Sequence, residues 1–131
     1  MEEIFQLDGP LSQKVSDYKY RSDQVDMTSA IYESIEGGEI LVAEAGTGTG
    51  KTFAYLVPTF LHNRKSIIST GTKTLQDQLF NKDIPKIMLS LGVERKVSLL
   101  KGRSNYVCHH FFYKTKAEGR FTSKEDMQIL L

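Results

Sequence analysis

A chain of 131 residues fits one domain with one core, and 40% apolar with 25% charged residues is ordinary for a folded chain. No apolar run nears the roughly 20 residues that cross a bilayer, and the start Met1-Glu2-Glu3-Ile4 has neither the basic opening nor the apolar stretch of a signal peptide. Neither a membrane span nor a signal peptide is expected, and a cytoplasmic location follows as the default expectation. The net charge of +1 singles out no partner, but residues 1–45 hold ten acids against Lys14, Lys19 and Arg21, leaving 14 bases and 6 acids for the remainder. That basic part suits nucleic acid, or simply a solvated surface.

From Ser22 to Ile35 the residues Val25, Met27, Ala30, Ile31 and Ile35 fall near helical spacing. Ser22 is placed to cap the start, and Gly37-Gly38 to end it. Glu39 to Ala43 reads as a short buried strand, and Lys51 to His62 as a helix in which Pro58 is an awkward interior residue. Ser66 to Thr70 reads as a second strand, Thr72 to Phe80 as a helix, and Ile84 to Leu91 as another with Pro85 in its first turn. Val97 to Leu100 makes a third strand. Strands alternating with helices predict an α/β fold, a parallel sheet with right-handed crossovers. Near the end, Ser123 and Asp126 resemble a capping box opening a helix that the sequence does not complete. The expectation is a piece of a longer protein with an exposed apolar edge.

Ala45-Gly46-Thr47-Gly48-Thr49-Gly50-Lys51-Thr52 matches the P-loop pattern, with Ala for the usual first Gly. Glycines let successive N–H groups turn toward one point and cradle phosphate oxygens, and the following helix adds its positive N-terminal end. Lys51 then supplies a charge to the β- and γ-phosphates of ATP, and Thr52 a hydroxyl to Mg²⁺. The dipeptide Asp-Glu, which would hold Mg²⁺ and orient water from a second strand, occurs nowhere. The chain is therefore expected to bind nucleotide but to hydrolyse it poorly or not at all.

Four stretches together resemble one family. Arg21-Ser22-Asp23-Gln24-Val25-Asp26-Met27 is similar to the adenine-sensing Q motif of superfamily 2 helicases, and Glu44 to Thr52 to their motif I. Ser69-Thr70-Gly71-Thr72-Lys73-Thr74-Leu75-Gln76-Asp77-Gln78-Leu79 looks like motif Ia of the XPD/DinG iron–sulfur helicases. Lys101-Gly102-Arg103-Ser104-Asn105-Tyr106-Val107-Cys108 looks like the segment carrying that family's first cluster ligand. The closest resemblance is to the bacterial DinG-like branch with YoaA-like members.

The resemblance implies a P-loop NTPase (RecA-like) parallel sheet flanked by helices, occupying residues 1–131 as an incomplete first motor domain. It implies an ATP-dependent 5′→3′ DNA helicase acting in repair or replication, with single-stranded DNA and a replication or repair protein as partners. Gln24 would bond the adenine edge with Arg21 in support, and Ala45 to Thr52 would hold the phosphates. Thr70, Gly71 and Thr72 would lie on the DNA backbone, and Cys108 would be one of four thiolates on a [4Fe–4S] cluster. Three of those four cysteines are absent, as is the second motor domain, so this chain alone is not expected to unwind DNA.

Each assignment has a plainer rival. Gln24 and Met27 are also faces of an amphipathic helix, and Thr72 also suits a helix N-cap. The bases Lys101, Arg103, Lys114, Lys116 and Arg120 suit DNA phosphates or solvent equally. Tyr106, Phe111, Phe112 and Tyr113 suit core packing better than base stacking. Cys108-His109-His110 is poorly spaced for zinc, since adjacent side chains do not converge on one ion. The alternative to a helicase piece is a non-catalytic nucleotide-binding module that docks a partner.

Overall fold

The computed structural model describes residues 2–16 and 18–119. The chain divides into two compact units, Met1–Ser98 and Leu99–Leu131. In the first unit, two short helices, α1 (Glu2–Phe5) and α2 (Pro10–Lys14), precede α3 (Ser22–Gly37) and α4 (Lys51–Leu61). Then α5 (Lys73–Gln78) runs into a π-helical turn (Leu79–Asp83) and on into α6 (Ile84–Leu91). In the second unit, a 3₁₀ turn (Arg103–Asn105) precedes α7 (His109–Glu118).

The core of the first unit is built from helix faces. The sequence of α4 is apolar almost all round, and Ala54, Leu56, Val57, Pro58 and Phe60 are buried. It packs on α3 and on α6, whose buried Ile84 and Ile87 are three apart and share a face. Phe5 of α1 and Leu11 of α2 close the cluster without any exposure.

Pro58 lies inside α4, which continues past it to Leu61. A prolyl residue inside a helix costs about 3 kcal/mol, whereas burying one Leu, Val or Phe returns about 1.5–3 kcal/mol. Several such residues flank Pro58, so packing wins. The helix ends three residues later at Leu61, and the N–H of its C-cap, His62, still reaches the Pro58 carbonyl at 3.1 Å.

The predicted parallel sheet does not form, which corrects the α/β, RecA-like expectation. Among the described residues there is no strand; residues 39–43, 66–70 and 97–100 belong to no regular element. A parallel ladder stabilises only when neighbouring backbones exchange hydrogen bonds and both sheet faces are covered. Here neither condition is met: Ile40 is 96% exposed, Val42 93% and Ile67 96%. Helices α3, α4 and α6 bury their apolar surface on one another instead, and the β-branched runs serve as connections.

Other expectations fare differently. The α6 bounds match those read from the sequence, and α3 runs two residues past Ile35 to its left-handed cap at Gly38. Ser22 does not cap α3. The N-cap is Arg21, and the Ser22 hydroxyl turns to Asp23 at 3.4 Å. The helix expected after Ser123 lies outside the described residues.

Burial assigns different weights to residues of the same chemical type. We expect Leu56→Ala to cost about 2–5 kcal/mol in urea unfolding, since it opens a cavity at a fully buried site. Ile40→Thr with Ile67→Thr should change stability by less than about 0.5 kcal/mol each while lowering dye binding to exposed apolar surface.

Candidate nucleotide site

The glycine-rich loop delivers the chain onto the start of α4. Gly48 and Gly50 take left-handed backbone angles, φ +82° and +80°, which other residues adopt only with strain. Gly50 is the N-cap of α4, and its carbonyl accepts from Phe53 N at 3.0 Å and Ala54 N at 3.2 Å. The N–H groups of Lys51 and Thr52 lie ahead of the first intrahelical acceptor and face outward at the positive end of the helix.

Lys51 bends back over the loop. Its Nζ donates to the carbonyls of Ala45 at 2.6 Å and Gly46 at 2.8 Å, while the Thr49 hydroxyl donates to Gly46 at 2.9 Å. Two of the three ammonium donors thus brace the loop, and the third is available to an anion. Gly46, Thr47 and Gly48 are exposed, and Ala45, Thr49 and Thr52 half-buried, so the loop is open to a ligand.

Gln24 joins this loop from α3. It is 2% exposed, and its Nε2 donates to the Gly50 carbonyl at 2.8 Å. Because Gly50 offers an acceptor, the amide must turn its N–H to it. Its Oε1 is buried with no partner among the described residues. The left-handed angle favours glycine here, and a Cβ at Gly50 would lie 2.1 Å from Gln24 Nε2, forcing the amide to shift.

Beside this contact is a cleft of about 230 Å³. Gln24, Gly50 and Thr52 line it together with Val15, Tyr18 and Phe53, and Lys19, Arg21, Gln78 and Asp83 complete it. Sequence reasoning gave Arg21, Gln24, Gly50 and Thr52, and the structure brings all four to this cleft. It missed Val15, Tyr18, Lys19, Phe53, Gln78 and Asp83, which no motif marked. Tyr18 is pinned by its hydroxyl to the Phe5 carbonyl at 2.5 Å. Burial pushes its phenol above the usual tyrosine range, against the opposing pull of the Arg21 charge. Burial also raises the Tyr55 phenol, while its hydrogen bond with Thr52 acts in the other direction.

Thr70, Gly71 and Thr72 form the turn before α5. The Thr72 hydroxyl accepts from Leu75 N at 3.2 Å and so caps the helix, while the Thr70 hydroxyl donates to the Thr72 carbonyl at 3.2 Å. In the second unit, Cys108 is exposed and is the N-cap residue of α7. One cysteine supplies one of the four thiolates of a [4Fe–4S] cluster, and no three metal-ligating residues group among the described residues. The residues present do not fit that cluster. Phe111 and Tyr113 of α7 are exposed, contrary to the core role expected of them.

The first unit thus defines a class: a helical unit in which a glycine-rich loop feeds a helix N-terminus beside a cleft sized for a ring system. Comparison with known proteins is more specific. The chain is 49% identical to the ATP-dependent DNA helicase YoaA of Haemophilus influenzae over 116 residues, 88% of this chain and 18% of that protein. It is 49% identical to YoaA of Escherichia coli over 82% of this chain and 17% of that protein. It is 44% identical to the ATP-dependent helicase DinG of Mycobacterium tuberculosis over 67% of this chain and 14% of that protein. The chain belongs to the YoaA/DinG helicase family, and it spans less than a fifth of the length of these curated relatives. No family model and no solved structure matches it. No described helix is long and apolar enough to cross a membrane.

The Gln24–Gly50 contact predicts a coupled pair. Gly50→Ala should destabilise by more than about 1 kcal/mol through its left-handed angle and the clash. In urea unfolding, the double variant with Gln24→Ala should lose less than the sum of the two singles, because the smaller side chain removes the clash.

Proposed function

We propose that this chain binds ATP as part of an ATP-dependent DNA helicase. The observation that carries this reading is the junction at Lys51. A loop with two left-handed glycines ends at a helix N-terminus, and a lysine ammonium is held over its carbonyls beside an empty-walled, ring-sized cleft. The triphosphate lies on the loop, where Gly46 to Thr52 offer backbone N–H groups and Lys51 exchanges its carbonyl contacts for phosphate oxygens. The base lies in the cleft with Arg21 and Gln24. A cleft of this size suits one base, since pockets for larger ligands run about 300–1,000 Å³.

Thr52 fits the role of a magnesium ligand. Magnesium keeps several waters and needs only one or two protein oxygens beside those of the phosphates, and Thr52 is half-buried at the second residue of α4. When bound, the ion would neutralise charge between the phosphates. The turn at Thr70, Gly71 and Thr72 is the proposed contact with single-stranded DNA, with the N-cap role of Thr72 leaving Gly71 exposed. The relatives' printed names, ATP-dependent DNA helicases, support ATP and DNA as ligands; action in repair or replication, with 5′→3′ movement, is proposed on the motif resemblance alone.

Equilibrium binding of a fluorescent ATP analogue with Mg²⁺ tests the reading. Lys51→Ala should weaken binding about tenfold or more, since charge-assisted bonds to phosphate are lost. A parent chain that is helical by circular dichroism yet binds no nucleotide would overturn it. The same chain should show no steady ATP turnover, because it has no Asp-Glu pair to orient water; phosphate release at a constant rate from pure protein would contradict this.

A further inference from the structure

The run from Lys73 to Leu91 is helical throughout, but it changes pitch once. The N–H of Leu79 bonds the carbonyl of Leu75, four residues back, whereas the N–H of Ile84 reaches Leu79, five back. The sequence supplies a cause. In an unbroken α-helix Pro85 would be an interior residue, with no N–H for the carbonyl of Asn81 and its ring pressed against that carbonyl. The π turn at Leu79–Asp83, directly before the proline, relaxes that clash. Single π turns inside helices are frequent at functional sites.

This turn brings together residues that a regular helix keeps apart. At 3.6 residues per turn, positions five apart point about 140° from one another. Gln78 and Asp83 are five apart, yet Gln78 Nε2 donates to Asp83 Oδ2 at 3.0 Å. The bond therefore depends on the wide turn. The two flanks also differ in anchorage: α6 buries Ile84, Ile87 and Ser90, while α5 has no buried residue. A change of pitch is taken up by α5. That helix is capped by Thr72 at one end, and at the other its Gln78 lines the nucleotide cleft with Asp83.

We propose that the π turn is a conformational switch joining the Thr70–Thr72 turn to the nucleotide cleft, with the Gln78–Asp83 bond as its latch. This rests on the nucleotide and single-stranded DNA readings above and adds the element that couples them. The hydrogen-bond ladder of a helix shifts by whole residues, so the turn has discrete arrangements and not a continuum. A nucleotide in the cleft meets the latched pair and favours one arrangement. A strand on the turn before α5 acts on the same helix from its other end. Each ligand then changes the other's affinity by one and the same factor. Gln78 and Asp83 are positioning residues here, acting through the pitch of the helix.

The test measures binding of fluorescein-labelled oligo(dT) to the chain with and without a non-hydrolysable ATP analogue and Mg²⁺, and of the analogue with and without the oligonucleotide. The parent is compared with Pro85→Ala, which restores the missing N–H, and Gln78→Ala, which removes the latch. Both positions are solvent-exposed, so the core is left as it is, and circular dichroism checks the helices. In the parent each ligand should change the affinity of the other about fivefold or more. In both variants each ligand should still bind alone, with that factor falling to near one. Hydrogen exchange of the backbone amides at 80–84 should slow in Pro85→Ala as the regular ladder closes. A factor near one in the parent, with both ligands bound, overturns the switch alone. The parent's full factor in either variant does so too, as does unchanged exchange in Pro85→Ala. A variant that no longer binds one ligand by itself marks a binding residue and also overturns it. A parent that fails to bind the analogue, or the oligonucleotide, overturns the reading of that site, and this proposal with it.

Discussion

Gln24 and Gly50 approach so closely that a Cβ on Gly50 would lie 2.1 Å from Gln24 Nε2 and displace the amide. Their 2.8 Å hydrogen bond joins the first long helix to the end of the glycine loop. Gly50 at the same time starts α4 with its carbonyl and turns the chain with a left-handed angle. Loop shape, helix start and cleft wall thus share one residue. The remaining loop contacts follow from it, because Lys51, one residue on, can reach back to Ala45 and Gly46 only if the chain reverses at Gly50.

Around that contact, stability and chemistry are kept on different residues. The apolar stripe of α4 faces α3 and α6 and holds the first unit together, while its first residues, Lys51 and Thr52, remain at the surface. Packing energy fixes the helix axis, and the axis fixes where the orphan N–H groups point. The π turn does the same for the opposite wall of the cleft. Its flanks are anchored by buried Leu79, Ile84 and Ile87, and it turns Gln78 and Asp83 toward polar neighbours. In the cleft wall, Gln24 Oε1 is buried without a partner among the described residues, the condition under which a ligand gains by supplying one.

Much of this was legible locally. The periodicity of Ile84, Ile87 and Met88 and the proline in the first turn gave α6 its bounds, and the loop glycines announced a helix beginning at Lys51. The short helices α1 and α2 carried too few residues to show a period, and α7 has no buried face to mark one. The three β-rich runs read as strands because Ile, Val and Thr favour extended backbone. They form no strand among the described residues; what propensity does not encode is a neighbour to pair with.

The sequence by itself determined the family, the spacing of phosphate-loop residues, and the helices whose apolar periods are strong. These depend on residues close together in the chain. Only the tertiary structure decided that Gln24 spends its donor on Gly50, that Tyr18 and Asp83 share a cleft with them, and that the β-rich runs stay unpaired among the described residues. Each of those outcomes depends on distant segments meeting, and on which hydrogen-bond partners and apolar faces have already been taken when they do.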